Sequence, residues 1–198
     1  MKEYIIIDFE ATCINSKDKN FQNEIIEFAA VKCDENFNAV SEFAKFVRPV
    51  LNPALTDFCK ELTTIRQADV DNAAGFSKVL ADFVLWLNET PGTKYFCSWG
   101  RYDKNQLLSD CKLHNAEFPF NDEHYNLKTI CVNKAVKEYK MPAKKKGMSE
   151  VADFLKIKRT GTLHRGIDDC KNILQIVTHL KISEKDLLEF VETLSQEA

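Results

Sequence analysis

Tyr4-Ile5-Ile6-Ile7-Asp8-Phe9-Glu10-Ala11-Thr12-Cys13 is the stretch that decides the architecture. An apolar run of high β propensity ends in Asp-x-Glu, which predicts a buried strand over 4–10. Side chains alternate along a strand, so Asp8 and Glu10 project from one face and Phe9 from the other. Two residues of rise set the carboxylates roughly 7 Å apart along the chain. Catalytic pairs of divalent ions lie roughly 4 Å apart, so such a pair can hold both. Without a cation the two charges repel, and one of them stays protonated. Taken alone, Asp-x-Glu is more often a solvated strand end. Its partners must be sought downstream.

Working outward, the 198 residues and 44% hydrophobic content suit one compact domain with a sizeable core. Glu24 to Cys33 reads as a central strand and Ala39 to Val47 as a third, with Asp34-Glu35-Asn36 as the turn of an antiparallel meander. A polar loop, 15–20, precedes them. Thr56 N-caps a short helix over 56–62, and Phe76, Val79, Leu80, Phe83 and Leu87 mark a stronger one over 75–88. A strand over 94–99 enters a turn at Gly100, followed by helices over 102–111 and 127–139. Met141 to Gly147 is a basic loop. Ser149 caps a helix over 149–155, a long amphipathic helix covers 167–180, and a charged helical tail covers 184–197. Alternating strand and helix signals define an α/β chain. Residues 1–182 form the domain, and 183–198 are a tail belonging to it.

Two further acidic sites stand out. Asp103 falls in the first turn of the helix that follows the Gly100 turn, on the same side as Leu107 and Cys111, and so beside the sheet. Its alternative is a helix-start aspartate favoured by the dipole. Asp168 and Asp169 open the late helix. Its apolar face runs through Cys170, Ile173, Ile176, Val177 and Leu180. Asp169 lies roughly 60° from the centre of that face and Asp168 roughly 160° away. Asp169 is therefore the semi-buried acid, and Asp168 a solvated one. His164 precedes the helix on a loop.

Together Asp8, Glu10, Asp103, His164 and Asp169 follow the order and spacing of the DEDDh 3′–5′ exonucleases, which the chain resembles. The likeness extends to Glu24-Ile25-Ile26-Glu27-Phe28, Val47-Arg48-Pro49, Leu55-Thr56-Asp57-Phe58-Cys59, Leu62-Thr63-Thr64-Ile65 and His164-Arg165-Gly166-Ile167-Asp168-Asp169. These resemble the branch of the histone-mRNA 3′-end exonuclease and the enhanced-RNAi exoribonucleases, over residues 4–180. Thr64 stands where that branch has glycine. The resemblance implies an RNase H-like fold, α/β with a central mixed five-stranded sheet flanked by helices. It implies two divalent ions, Mg²⁺ with Mn²⁺ acceptable, held by Asp8, Glu10, Asp103 and Asp169, with His164 as general base. It implies a 3′–5′ exoribonuclease that releases nucleoside 5′-monophosphates from single-stranded 3′ ends. Phe9, Ala11 and Thr12 would contact the terminal ribose, and Leu62 and Ile65 would wedge the last base. Trp99 and Phe58 are either base stackers or core aromatics. Lys144-Lys145-Lys146 either tracks phosphate or is a solvated loop.

A net charge of −3 excludes wholesale electrostatic wrapping of nucleic acid but not a local groove. Seven scattered cysteines without C-x-x-C spacing point to reduced thiols and a cytoplasmic setting, and Met1-Lys2-Glu3 leads straight into a strand without a leader. No membrane partner is expected, because no apolar run approaches spanning length. Rival readings are a 3′–5′ exodeoxyribonuclease, with the same acids, and a 3′-end-binding module without turnover. No residue pair has zinc spacing.

Overall fold

The computed structural model describes residues 1–16, 18, 20–120 and 124–189. Five strands form one mixed sheet in the order β3-β2-β1-β4-β5. They are β1 (Lys2–Ala11), β2 (Ile25–Cys33), β3 (Ala39–Phe46), β4 (Thr93–Ser98) and β5 (His124–Asn126). β1, β2 and β3 form the expected antiparallel meander. β1 is the centre of the sheet, and β2, wholly buried, lies between it and β3. β4 runs parallel to β1 and β5 parallel to β4. The fifth strand is three residues long, too short to carry a periodic pattern.

Helices cover both faces: α1 (Asp57–Thr63), α2 (Gln67–Asp71), α3 (Phe76–Leu87), α4 (Tyr102–Leu113), α5 (Leu127–Tyr139), α6 (Met148–Phe154) and α7 (Gly166–His179). The alternation of β1 sorts the core. Tyr4 and Ile6 join the cluster under α5, α6 and α7, whereas Ile5, Ile7 and Phe9 join the one under α3 and α4. Asp8 and Glu10 therefore face the α7 side. A third cluster, Ile26, Leu55, Cys59, Ile65 and Val70, seats α1 and α2.

Thr56 caps α1 by accepting the Cys59 N–H at 3.0 Å, and its hydroxyl donates to the Cys13 carbonyl, tying α1 to the end of β1. Thr64, the C-cap, has φ 60°, a left-handed conformation that explains the preference for glycine there. Ser149 is not the cap of α6. That helix starts after Gly147, whose N–H is accepted by the Glu150 carboxylate, while the Ser149 hydroxyl accepts from Arg159. Residues 184–189 are helical, and the rest of the charged tail, like Lys17 and Lys19 of the polar loop, lies outside the described residues.

Candidate active site

Register places the first two acids. β4 ends at Ser98, opposite Ile7 of β1, so Asp8 and Glu10 extend past the end of the neighbouring strand. The crevice beyond the carboxyl ends of parallel strands, beside the strand where the order reverses, is where α/β sheets bind ligands. Leaving Ser98, the chain turns at Gly100 (φ 108°) into α4. Asp103 is thereby brought back over β1, and its Oδ1 accepts the Phe9 N–H at 2.9 Å. This bond ties the Asp103 carboxyl to the β1 backbone between Asp8 and Glu10.

The third segment enters through a close approach. A Cβ on Gly166 would lie 2.6 Å from the Asp8 carbonyl oxygen and 2.8 Å from the Ala29 Cβ, so only glycine lets α7 begin against β1. The buried Glu27 fixes that start. Its carboxylate takes the Arg165 guanidinium in a two-pronged grip at 3.0 and 3.2 Å and accepts the Gly166 N–H at 3.0 Å. One turn on, Asp169 is buried beside Asp8 and Glu10. Its Oδ2 accepts the His164 N–H at 2.9 Å. Asp168 points elsewhere and accepts the Thr162 N–H. His164 has φ 58°, a left-handed backbone of the kind that clusters at functional sites, and its ring is exposed over the cleft.

The electrostatics are those of crowded acids. Burial, then the charges of Asp103, Glu10 and Asp169, pushes the Asp8 carboxyl well above the usual range. Burial and Asp169 push Glu10 up to about 8, and burial pushes Asp103 up to about 6. Asp169 is raised as well, by burial first. Its Oδ1 is buried with no hydrogen-bond partner. Glu10, Asp169 and His164 each offer one atom, all within 4.8 Å of one another, a grouping able to hold a metal ion. Hard divalent cations take carboxylate oxygens, so an orphaned carboxylate oxygen amid repelling acids fits such an ion.

The acids floor a cleft of about 440 Å³. Of the other residues expected there, Phe9, Ala11, Leu62 and Trp99 line it, Phe9 with its ring committed to the core. Thr12, Phe58 and Ile65 are not among the lining residues. Thr12 is locked to Glu24 by backbone and hydroxyl bonds, Phe58 is half-buried on α1, and Ile65 is fully buried, leaving it no face to offer a base. Sequence reasoning missed Cys13, Thr63, Tyr102 and Leu163, which also line the cleft. Tyr102 is 51% exposed, and its adjacency to Asp103 was the available signal.

An RNase H-like mixed sheet with acids from three distant segments at its carboxyl-end crevice defines the DEDDh class of nuclease. Residues 5–177 match the RNase_T family, described as exonuclease. The chain belongs to this exonuclease family, in the DEDDh 3′–5′ branch of the enzymes below. It is 34% identical over 200 residues to mouse 3′-5′ exoribonuclease 1, covering 93% of this chain and 57% of that protein. It is 30% identical to fission-yeast 3′-5′ exonuclease eri1, over 89% of this chain and 67% of the relative. The crystallographic structure of the nuclease domain of 3′hExo, a DEDDh family member, bound to rAMP, superposes with TM-score 0.80 at 31% identity over 90% of each chain. The chain spans a little over half the length of the first mammalian relatives it matches.

Proposed function

We propose that the cleft hydrolyses RNA from the 3′ end, one nucleoside 5′-monophosphate at a time. The observation that carries this is the gathering of Asp8, Glu10, Asp103 and Asp169 on one buried floor, with the Asp169 Oδ1 unpartnered. Those four residues would hold two divalent cations, Mg²⁺ by choice and Mn²⁺ as a substitute. When bound, the cations supply Lewis-acid activation of water and neutralise charge at the scissile phosphate and the departing 3′ oxygen.

The chain's own residues supply the rest. His164, exposed and adjoining Glu10 and Asp169, takes a proton from the attacking water, since a ring nitrogen of neutral imidazole has a lone pair to accept it. Leu62 and Trp99 line the cleft and would grip the terminal base, Leu62 by apolar contact and Trp99 by stacking. The backbone of Phe9 and Ala11 flanks the acids, where a terminal ribose would lie. RNA is favoured over DNA because the relatives are named as exoribonucleases. A reducing, cytoplasmic setting belongs to the same proposal and is supported by seven free cysteines. Among the described residues no helix is long and apolar enough to cross a membrane.

The test is a time course on matched 3′-labelled RNA and DNA oligomers with Mg²⁺, with and without EDTA. Release of labelled monophosphate from RNA, abolished by EDTA, is expected. Faster release from DNA would reassign the substrate. Tight 3′-end binding without release would make the protein a binding module.

A further inference from the structure

The two banks of the cleft differ in charge. On one side stands α1, with Leu62 and Thr63 at the lining and Glu61 exposed beside them; its Lys60 is paired to Asp57. On the other stand Trp99 and the start of α6, next to the basic loop. Trp99 is tied to that loop, since its indole N–H donates to the Lys146 carbonyl at 3.2 Å. Lys128 adjoins the same place, its Cδ 3.9 Å from where a Cβ on Gly100 would sit.

Among the described residues seven lysines form ion pairs: Lys2, Lys45, Lys60, Lys78, Lys94, Lys134 and Lys171. Among the described residues, Lys128, Lys144, Lys145 and Lys146 have no carboxylate within ion-pair distance of their ammonium groups. The acid on this bank, Glu150, is occupied by the N–H groups of Gly147 and Lys146. Those two bonds, aided by Lys145 and Lys128, hold it below the usual carboxylate range.

A protein with net charge −3 thus places four lysines without ion pairs together on one bank of its acidic cleft. A nucleic-acid strand needs countercharge on the phosphates that follow the scissile one, and the acidic floor cannot supply it. Single strands are held by a basic track with aromatic platforms, and this bank offers both. We propose that Lys128 and Lys144–Lys146 bind the upstream phosphates of the substrate, so that the strand leaves the cleft across Trp99 rather than across α1.

This rests on the exonuclease reading above and adds a direction and a length requirement to it. The test compares the wild type with a variant carrying Lys128→Ala, Lys144→Ala, Lys145→Ala and Lys146→Ala. Alanine at 146 keeps the carbonyl that holds Trp99. Each protein is assayed on a diribonucleotide and on a single-stranded 10-mer, with salt varied. About three phosphate contacts correspond to a slope of about −2 in log affinity against log salt. The expected result is a KM for the 10-mer raised at least about tenfold with a flattened salt slope, while kcat/KM on the diribonucleotide, which has no upstream phosphate, stays within about twofold. Unchanged length preference and salt slope in the variant would overturn the track. Equal losses on both substrates would overturn it too, by assigning the lysines to the floor instead. A wild type inactive on both substrates would defeat the exonuclease reading itself, and the track with it.

Discussion

Replacing Gly166 with alanine should separate the third acidic segment from the first. The added Cβ would meet the Asp8 carbonyl oxygen at 2.6 Å and the Ala29 Cβ at 2.8 Å. Ordinary contact begins at 3.4 Å, so helix and strand must part by roughly 0.8 Å. Neither obstacle is the far end of a flexible side chain, because both belong to the central strands of the sheet. Overpacking of this kind costs about 1–3 kcal/mol. At about 2–4 °C per kcal/mol for a chain of this size, Tm should fall by about 2–12 °C. Function should suffer more. Asp169 lies one turn after Gly166 and His164 two residues before it, so both move relative to Asp8 and Glu10. Misplacement of about 1 Å costs turnover about 100-fold. The assay pairs a thermal melt with turnover of single-stranded RNA at saturating Mg²⁺. Gly75→Ala is the control: nothing lies within 4 Å of its would-be Cβ, and its cost should be only the loss of a glycine N-cap on α3, about 0.5–1 kcal/mol. A Gly166→Ala protein with wild-type melting and turnover would refute the close-approach argument.

Other outcomes can be checked independently. Asp169→Asn should lower turnover at least about 100-fold and Asp168→Asn less than about fivefold; comparable losses would show that the helix phase was misjudged. Asp8→Ala should abolish hydrolysis yet raise the metal-free Tm, because it removes a repelling buried acid; retained turnover would disprove its assignment. The acids are raised in the folded state, so the stability tied to their protonated forms is complete below about pH 4 and is lost as pH climbs through about 6 for Asp103 and about 8 for Glu10. Mg²⁺ favours the ionised forms, so the gap between metal-loaded and metal-free Tm should widen from pH 5 to pH 8, and a constant gap would contradict the shared acidic floor. Thr64→Gly should stabilise by about 1 kcal/mol, since a β-branched residue at φ 60° is strained; a lower Tm would mean that the Thr64 side chain contributes more than its backbone costs.

Local pattern was enough wherever a residue's surroundings follow from its own element. Strand alternation put Asp8 and Glu10 on one face, and 3.6-residue phasing separated Asp169 from Asp168, because backbone geometry alone dictates those directions. The helices at 76–87 and 127–139 were equally legible, each carrying its own periodicity or flanking signals. Tertiary contacts decided what no single element encodes. β5 exists only because Tyr125 and its neighbours find the open edge of β4. Lys32 is fully buried in β2 because its ammonium caps the end of α3 at the Trp86 and Leu87 carbonyls, an arrangement that strand pattern would have placed in solvent. Ile65, taken for a wedge against a base, belongs to the core under α1 and α2, and Tyr102 took a cleft position unforeseen. The sequence by itself determined the kinds of elements and the face each acid occupies, since these depend on covalent geometry and hydrophobic period. Only the assembled sheet decided which faces met, because the crevice is set by where β4 stops beside β1 and by how closely Gly166 lets α7 approach, both of them distances between segments far apart in the chain.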